Sequence, residues 1–426
     1  MLNKINFFLS NKGKKQLVSN LLSLSLLQVF SYVLPLLTIP YLVRVLGTEK
    51  FGLIMFAQAF MVYFSIFVDF GFNLSATREV SVHRDDKSKI KEIFSSVILI
   101  KGILLFFSFI IMVIIINFFE MFSLNKKLYM SSFLLVIGQA LFPIWYFQGV
   151  ERMKYITIIN IFIKVLFTLM IFLIIQNEKD YIYVPIINGL GYILGGIISL
   201  FFIKRTFKQE FKIYPYNTLK KYFLDSFDFF LSRLSVSLYT ASNVFFLGLF
   251  TNNLIVGYYS IAEKLYNALQ QLYSPIVQAL YPFFAKEQNV KFFKKVFYGI
   301  SLINVLGIIL LFILSQEIFD ILFSSKVSQD SLHVFSILLI AAIFVIPSIT
   351  LGYPFLGALG FNRQANLSVI IGSVIHILGL VALVFFKELT IYSVAIMVLI
   401  TELTVLSIRI YFVNKNKLWN SPKRTG

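Results

Sequence analysis

The chain has 426 residues, 58% hydrophobic and 14% charged, with 38 basic against 20 acidic groups and a formal net charge of +18. Soluble domains carry about 25% charged residues, so this composition excludes an ordinary soluble domain and points to the membrane. With no cysteine, disulfides and thiolate sites are excluded; His83, His333 and His376 are too scattered for a metal site, so no metal or other cofactor is expected.

A basic tail with Lys4, Lys12, Lys14 and Lys15 precedes an apolar run over 17–43. That run is too long for a signal-peptide core and lacks a small-residue cleavage site, so it is expected to remain as the first span. Further apolar segments follow at 51–72, 93–119, 128–149, 155–175, 182–203, 222–250, 257–284, 296–319, 332–357, 367–386 and 390–413, making about twelve. A helix rises about 1.5 Å per residue, so roughly twenty residues cross a hydrocarbon core about 30 Å thick. The expected fold class is an all-α polytopic membrane protein. Pro35 and Pro40 in the first span, Pro275 and Pro282 in the eighth, and Pro347 and Pro354 in the tenth are candidate kinks. They serve either static packing or, in the first helix, flexing during transport.

The connections alternate between basic and nearly uncharged. One set carries 26 Lys and Arg residues and the other 7, so the positive-inside rule places both termini in the cytoplasm. Anionic lipid and this insertion rule explain the basic excess better than nucleic acid does. The most basic connection, 204–221, divides the chain into an N-terminal lobe (1–203, spans 1–6) and a C-terminal lobe (222–426, spans 7–12 with a basic tail). Two faint echoes link the halves: Gly52–Gln58 with Gly257–Glu263, and Phe147–Gly149 with Phe355–Gly357, at offsets of 205 and 208 residues. Six spans per half give both halves one orientation, the pattern of a parallel repeat with its site near the midplane.

An ionised side chain at mid-membrane costs roughly 2.5–3.5 kcal/mol on insertion scales and needs a partner, water or an interior position. Lys164, Arg233, His376 and Glu402 lie near mid-depth; Lys101, Asp225, Asp228, Glu263 and Lys264 lie within a few turns of an interface. Lys164, Arg233, Lys264 and Lys101 are candidates for a cationic cavity that binds phosphate oxygens. The alternatives are ion pairing of Lys164 and Arg233 with Asp225, Asp228 or Glu402, and snorkelling of Lys101 to the cytoplasmic surface. Asp225, Asp228, Glu263, Glu402 and His376 are candidates for ion coupling. Spans seven and eight, with Asn243, Asn267, Gln270 and Gln271 as well, are too polar to face lipid and are expected to wall an aqueous cavity.

Three motifs in register carry a resemblance: Val43–Gly52 (VRVLGTEKFG), Asp69–Asn73 (DFGFN) followed by Ser75–Glu79 (SATRE), and Trp145–Lys154 (WYFQGVERMK). With Leu356–Arg363 (LGALGFNR), they resemble the Wzx family, bacterial flippases of lipid-linked O-antigen, capsule or exopolysaccharide repeat units. The resemblance implies two six-helix lobes in a MATE-like V around a central cavity, in the bacterial cytoplasmic membrane. It also implies an oligosaccharide on undecaprenyl pyrophosphate as substrate, translocated by alternating access, in some members against protons or another cation. A polysaccharide polymerase and a chain-length regulator are the expected partners. Arg78, Glu79, Glu151, Arg152 and Arg363, in expected cytoplasmic loops, are candidates for receiving the head group or locking a gate. Rival readings are a drug or cation exporter of the same superfamily and, less favoured, a membrane-embedded polymerase or ligase. The short outer loops hold no catalytic constellation, so no enzymatic activity is expected.

Overall fold

The computed structural model describes residues 11–323 and 329–420. Lys4, Lys326 and the 421–426 end of the basic tail lie outside the described residues. Among the described residues the chain is helical and contains no strand. The helices of its first half are α1 (Asn11–Asp69), α2 (Phe72–Val82), α3 (Lys87–Phe118), α4 (Glu120–Ser123), α5 (Lys126–Leu141), α6 (Ile144–Gly149), α7 (Met153–Ile174) and α8 (Tyr183–Arg205). They continue with α9 (Tyr216–Phe250), α10 (Asn253–Gln271), α11 (Ser274–Glu287), α12 (Val290–Ile313), α13 (Ser315–Phe323), α14 (Gln329–Thr350), α15 (Asn362–Phe385) and α16 (Ile391–Lys415).

Nine helical stretches among the described residues are long and apolar enough to cross a membrane. The first, Leu26–Val82, has 57 residues. At 1.5 Å per residue it would extend about 85 Å, far more than one crossing needs. On α3, Ile103, Phe106, Phe107, Ile110, Ile111 and Ile114 are all exposed, a stripe suited to hydrocarbon. α9 and α10 are helical where spans seven and eight were expected, yet neither is among the nine, and Ala241–Phe250 in α9 is a shorter apolar stretch.

Several expected boundaries move. Residues 44–50, expected as a loop, are helical, and α1 also stays helical through Pro35 and Pro40. Its break falls at Gly47, whose φ of 76° and ψ of 163° suit a residue without Cβ. The expected span 257–284 is two helices, α10 and α11, parting at Leu272 and Tyr273. Pro275 stands in the first turn of α11, where its missing N–H breaks no helical bond. In the tenth span the backbone leaves helical geometry at Gly352 (ψ −121°), inside a π-helical turn, Leu351–Gly357, that also holds Pro354.

The described residues condense into two compact units, one drawn from 1–38 and 57–234, the other from 39–56 and 235–426. In the first, an aromatic core gathers Trp145, Tyr146 and Phe147, each buried, with Phe147 stacked on Tyr155 at 5.6 Å. In the second, the echo segment Phe355–Gly357 has the same role: Phe355 is buried against Phe284, Phe293 and Trp419.

The other echo explains why 39–56 belongs to the second unit. A Cβ on Gly52 would lie 1.9 Å from the Asn253 carbonyl oxygen and 2.5 Å from the Gly257 nitrogen; one on Gly257 would lie 2.2 Å from the Thr48 carbonyl oxygen. The two related segments therefore touch backbone to backbone, the close approach that small residues permit between membrane helices. Arg44 ties the same stretch to the end of α13, donating to the carbonyls of Ile321 and Leu322 at 2.8 Å each.

Candidate functional sites within the two units

In the first unit the Asp69–Asn73 motif forms the break between α1 and α2. Phe70 (φ 46°) and Gly71 (φ 76°) are both left-handed. Gly71 is required there, because a Cβ would lie 2.6 Å from the Phe230 backbone nitrogen. Phe70 slots between Phe223 and Phe230, seven residues apart on α9, with ring centroids 4.2 and 4.7 Å away. This stacking fixes the turn. Asp69 and Asn73, on either side of it, both line a cavity of about 240 Å³.

Lys101 lines the same cavity. It is 3% exposed, and its Nζ lies 3.3 Å from Asp69 Oδ1. The snorkelling alternative is therefore corrected. An aspartate at the end of α1 satisfies the ammonium internally, so it has no need to reach the surface. The rest of the lining includes Ser65, Gln139, Asn160 and Tyr192. The Asn160 amide nitrogen donates to the Ile156 carbonyl at 2.9 Å. Ser65 Oγ and Asn73 Oδ1 are buried with no hydrogen-bond partner. A second cavity of about 490 Å³ is walled by Phe94, Ile98, Leu200, Ile203 and Phe211, with Lys204, Gln209 and Glu210 as its polar members.

Lys164 is half-buried and donates to Ser31 Oγ at 2.6 Å, a hydroxyl of the first helix and not one of the carboxylates of the ion-pairing alternative. Arg233, Asp225 and Asp228 are exposed. Among the gate candidates, Glu151 pairs with Arg84 at 2.7 Å and Glu79 lies 3.7 Å from His83. Arg78, Arg152 and Arg363 are exposed. Arg78 and Glu79 stand in α2 and Arg363 in α15, not in loops; the two pairs are partly solvated, and such pairs contribute only about 0–1 kcal/mol. In the 206–215 connection, the Lys91 ammonium hydrogen-bonds Glu210 and holds its carboxyl below the ordinary range.

The second unit gathers its polar groups around His376, which is fully buried. Its Nε2 lies 2.9 Å from Asn243 Oδ1, an acceptor, so we assign the ring proton to Nε2. Nδ1 lies 2.8 Å from Thr401 Oγ1, and Asn243 also hydrogen-bonds Glu263. Glu263, Asn243, His376 and Thr401 thus form one chain that joins two of the ion-coupling candidates. Glu263, Lys264 and Glu402 are half-buried.

Two residues escaped the sequence reading, the half-buried Asp69 and the buried Arg409. Asp69 was counted in a loop motif, although an acid near the end of one span is a natural partner for a lysine inside the next. Arg409, near the end of the expected span 390–413, was not singled out, yet it is 6% exposed. Its guanidinium donates to the Ser348 carbonyl and hydroxyl and, at 2.9 Å, to the Ser368 hydroxyl. It also lies against Gly352. Arg409 therefore satisfies acceptors beside the break in the tenth span, where the helix cannot do so itself.

The family described as polysaccharide biosynthesis protein matches residues 17–288. A protein of Escherichia coli (strain K12) named an O-antigen transporter is 29% identical over 416 residues, covering 96% of this chain and 99% of that one. A Shigella dysenteriae protein of the same name is 25% identical, covering 91% and 97%. In fold, the chain is similar to the lipid II flippase MurJ in an inward closed conformation (TM-score 0.74, 14% identity, covering 93% of this chain and 88% of that one). It is also similar to an inward-facing multidrug resistance MATE transporter of the MOP superfamily (TM-score 0.62, 13% identity, covering 96% and 100%).

Proposed function

The chain belongs to the polysaccharide biosynthesis protein family, and from that premise we propose that it is a flippase. Its substrate is an oligosaccharide repeat unit on undecaprenyl pyrophosphate, moved from the cytoplasmic to the outer leaflet of the bacterial cytoplasmic membrane by alternating access. The observation that carries this reading is the correspondence, over 96% of the chain, with a protein named an O-antigen transporter. Physical chemistry agrees with it. The polyprenyl tail stays in lipid, while the hydrated sugars and pyrophosphate cross only if fixed polar groups replace their water. No bond of the substrate needs to be made or broken.

Lys164, Arg233 and Lys264 meet the pyrophosphate in this proposal. Lys101, already countered by Asp69, has a different task. Glu263 and His376, joined through Asn243, support coupling to a proton or other cation, with Glu402, Asp225 and Asp228 as further carriers. Arg78, Glu79, Glu151, Arg152 and Arg363 receive the head group at the cytoplasmic face, where both termini lie. A polymerase and a chain-length regulator act on the product.

The test is flipping of the lipid-linked oligosaccharide in proteoliposomes. Lys164→Ala and Arg233→Ala are each expected to slow it at least tenfold while the protein stays inserted. Normal rates in both would remove the cationic site. Equal rates with and without an imposed pH or sodium gradient would exclude coupling to that ion.

A further inference from the structure

The Asp69–Lys101 cavity is not explained by packing. Its polar lining holds a lysine that is 3% exposed, two buried oxygens without partners (Ser65 Oγ and Asn73 Oδ1), and an Asn160 amide with its oxygen still able to accept. Buried polar groups in a folded chain are normally satisfied, and exceptions beside a cavity call for an explanation. The Phe70–Gly71 turn, held by two stacked rings, places Asp69 and Asn73 on this one cavity.

The charges limit what it takes. Lys101 opposes a cation and Asp69 opposes an anion, and at 3.3 Å the two largely cancel. A neutral ligand remains. Amides and hydroxyls offer donors and acceptors side by side, which matches a ligand whose own hydroxyls both donate and accept. The volume of about 240 Å³ equals that of about eight liquid waters and falls below the span of drug-sized pockets, leaving room for a single ring.

We infer that this cavity is a sugar-binding subsite that holds one pyranose ring of the glycan within the first unit. The inference rests on the proposed function for the identity of the glycan and deepens it: the pyrophosphate and one sugar are recognised by different residues. Lys101 and Asp69 act here as a neutral pair that hydrogen-bonds hydroxyls, not as a phosphate site.

The test uses the full chain in nanodiscs, with methyl glucoside, methyl galactoside and methyl N-acetylglucosaminide as probes in ligand-observed NMR. At least one glycoside is expected to bind at millimolar concentration. Asn160→Leu and, on the more exposed wall, Gln139→Leu should each weaken it tenfold or more at unchanged thermal stability. Inorganic phosphate should not compete. The same variants should slow flipping at low substrate concentration and less at saturation. Several results would overturn the proposal: no glycoside bound, binding unchanged in both variants, competition by phosphate, or lost binding with unchanged flipping. Because glycoside binding is read without transport, a wild-type protein that binds the ring but moves no lipid-linked oligosaccharide would refute the flippase reading and leave the subsite standing.

Discussion

Around Lys101 the first unit sets a buried cation against a half-buried acid beside a cavity, while around His376 the second unit buries a ring with both nitrogens engaged by Asn243 and Thr401. The first cluster leaves Ser65 Oγ and Asn73 Oδ1 without partners; the second runs on through Asn243 to Glu263. A ring with both nitrogens bonded changes state only by giving up one of those bonds, which suits a proton or a small cation. An open cluster has bonds to offer a ligand.

The contrast can be broken most forcefully at Lys101. Lys101→Met strands the Asp69 carboxylate, whose side chain is 18% exposed, and should cost about 3 kcal/mol of stability in thermal unfolding. Lys101→Met combined with Asp69→Leu should restore most of that loss. If the double variant is no more stable than the single one, the pair is not the source of the cost. At His376 the expected effect is smaller. His376→Phe leaves the Asn243 oxygen unbonded and should cost about 1–2 kcal/mol. An unchanged melting temperature would show that the Asn243–His376 bond contributes nothing.

The smallest effect belongs to the Lys91–Glu210 tie outside the spans. Lys91 lowers the Glu210 pKa in the folded protein, so the tie contributes above the unfolded carboxylate value of about 4.3 and is lost as pH falls through the lowered one. Wild type should therefore lose slightly more stability than Glu210→Gln between about pH 6 and pH 3.5. Identical pH profiles would mean that the exposed pair contributes nothing.

Much of the fold was legible because insertion into lipid writes itself as length and hydropathy. The echo of Gly52–Gln58 in Gly257–Glu263 was legible too, and the two segments prove to be in contact. Partnerships were harder. Depth alone marked Lys101 as costly, but its acid sits in a motif that reads as a loop, because an aspartate at a helix end looks solvated. Arg409 was hidden for the same reason: near a span's edge, a guanidinium turned toward a broken helix and one turned toward water have the same sequence. The kink of α1 was sought at Pro35 and Pro40. Proline fixes φ in a range that helices tolerate, whereas the left-handed value at Gly47 needs a residue without Cβ.

The mutual contact of Gly52 and Gly257 has a consequence for biosynthesis. The ribosome releases the stretch around Gly52 long before the segment that covers it, since 205 residues separate the two glycines. Domains generally complete themselves in order of synthesis, but here the Gly52–Gly257 contact cannot form until about three-fifths of the chain has been translated. Residues 39–56 must meanwhile wait in the bilayer beside helices of a unit they do not join.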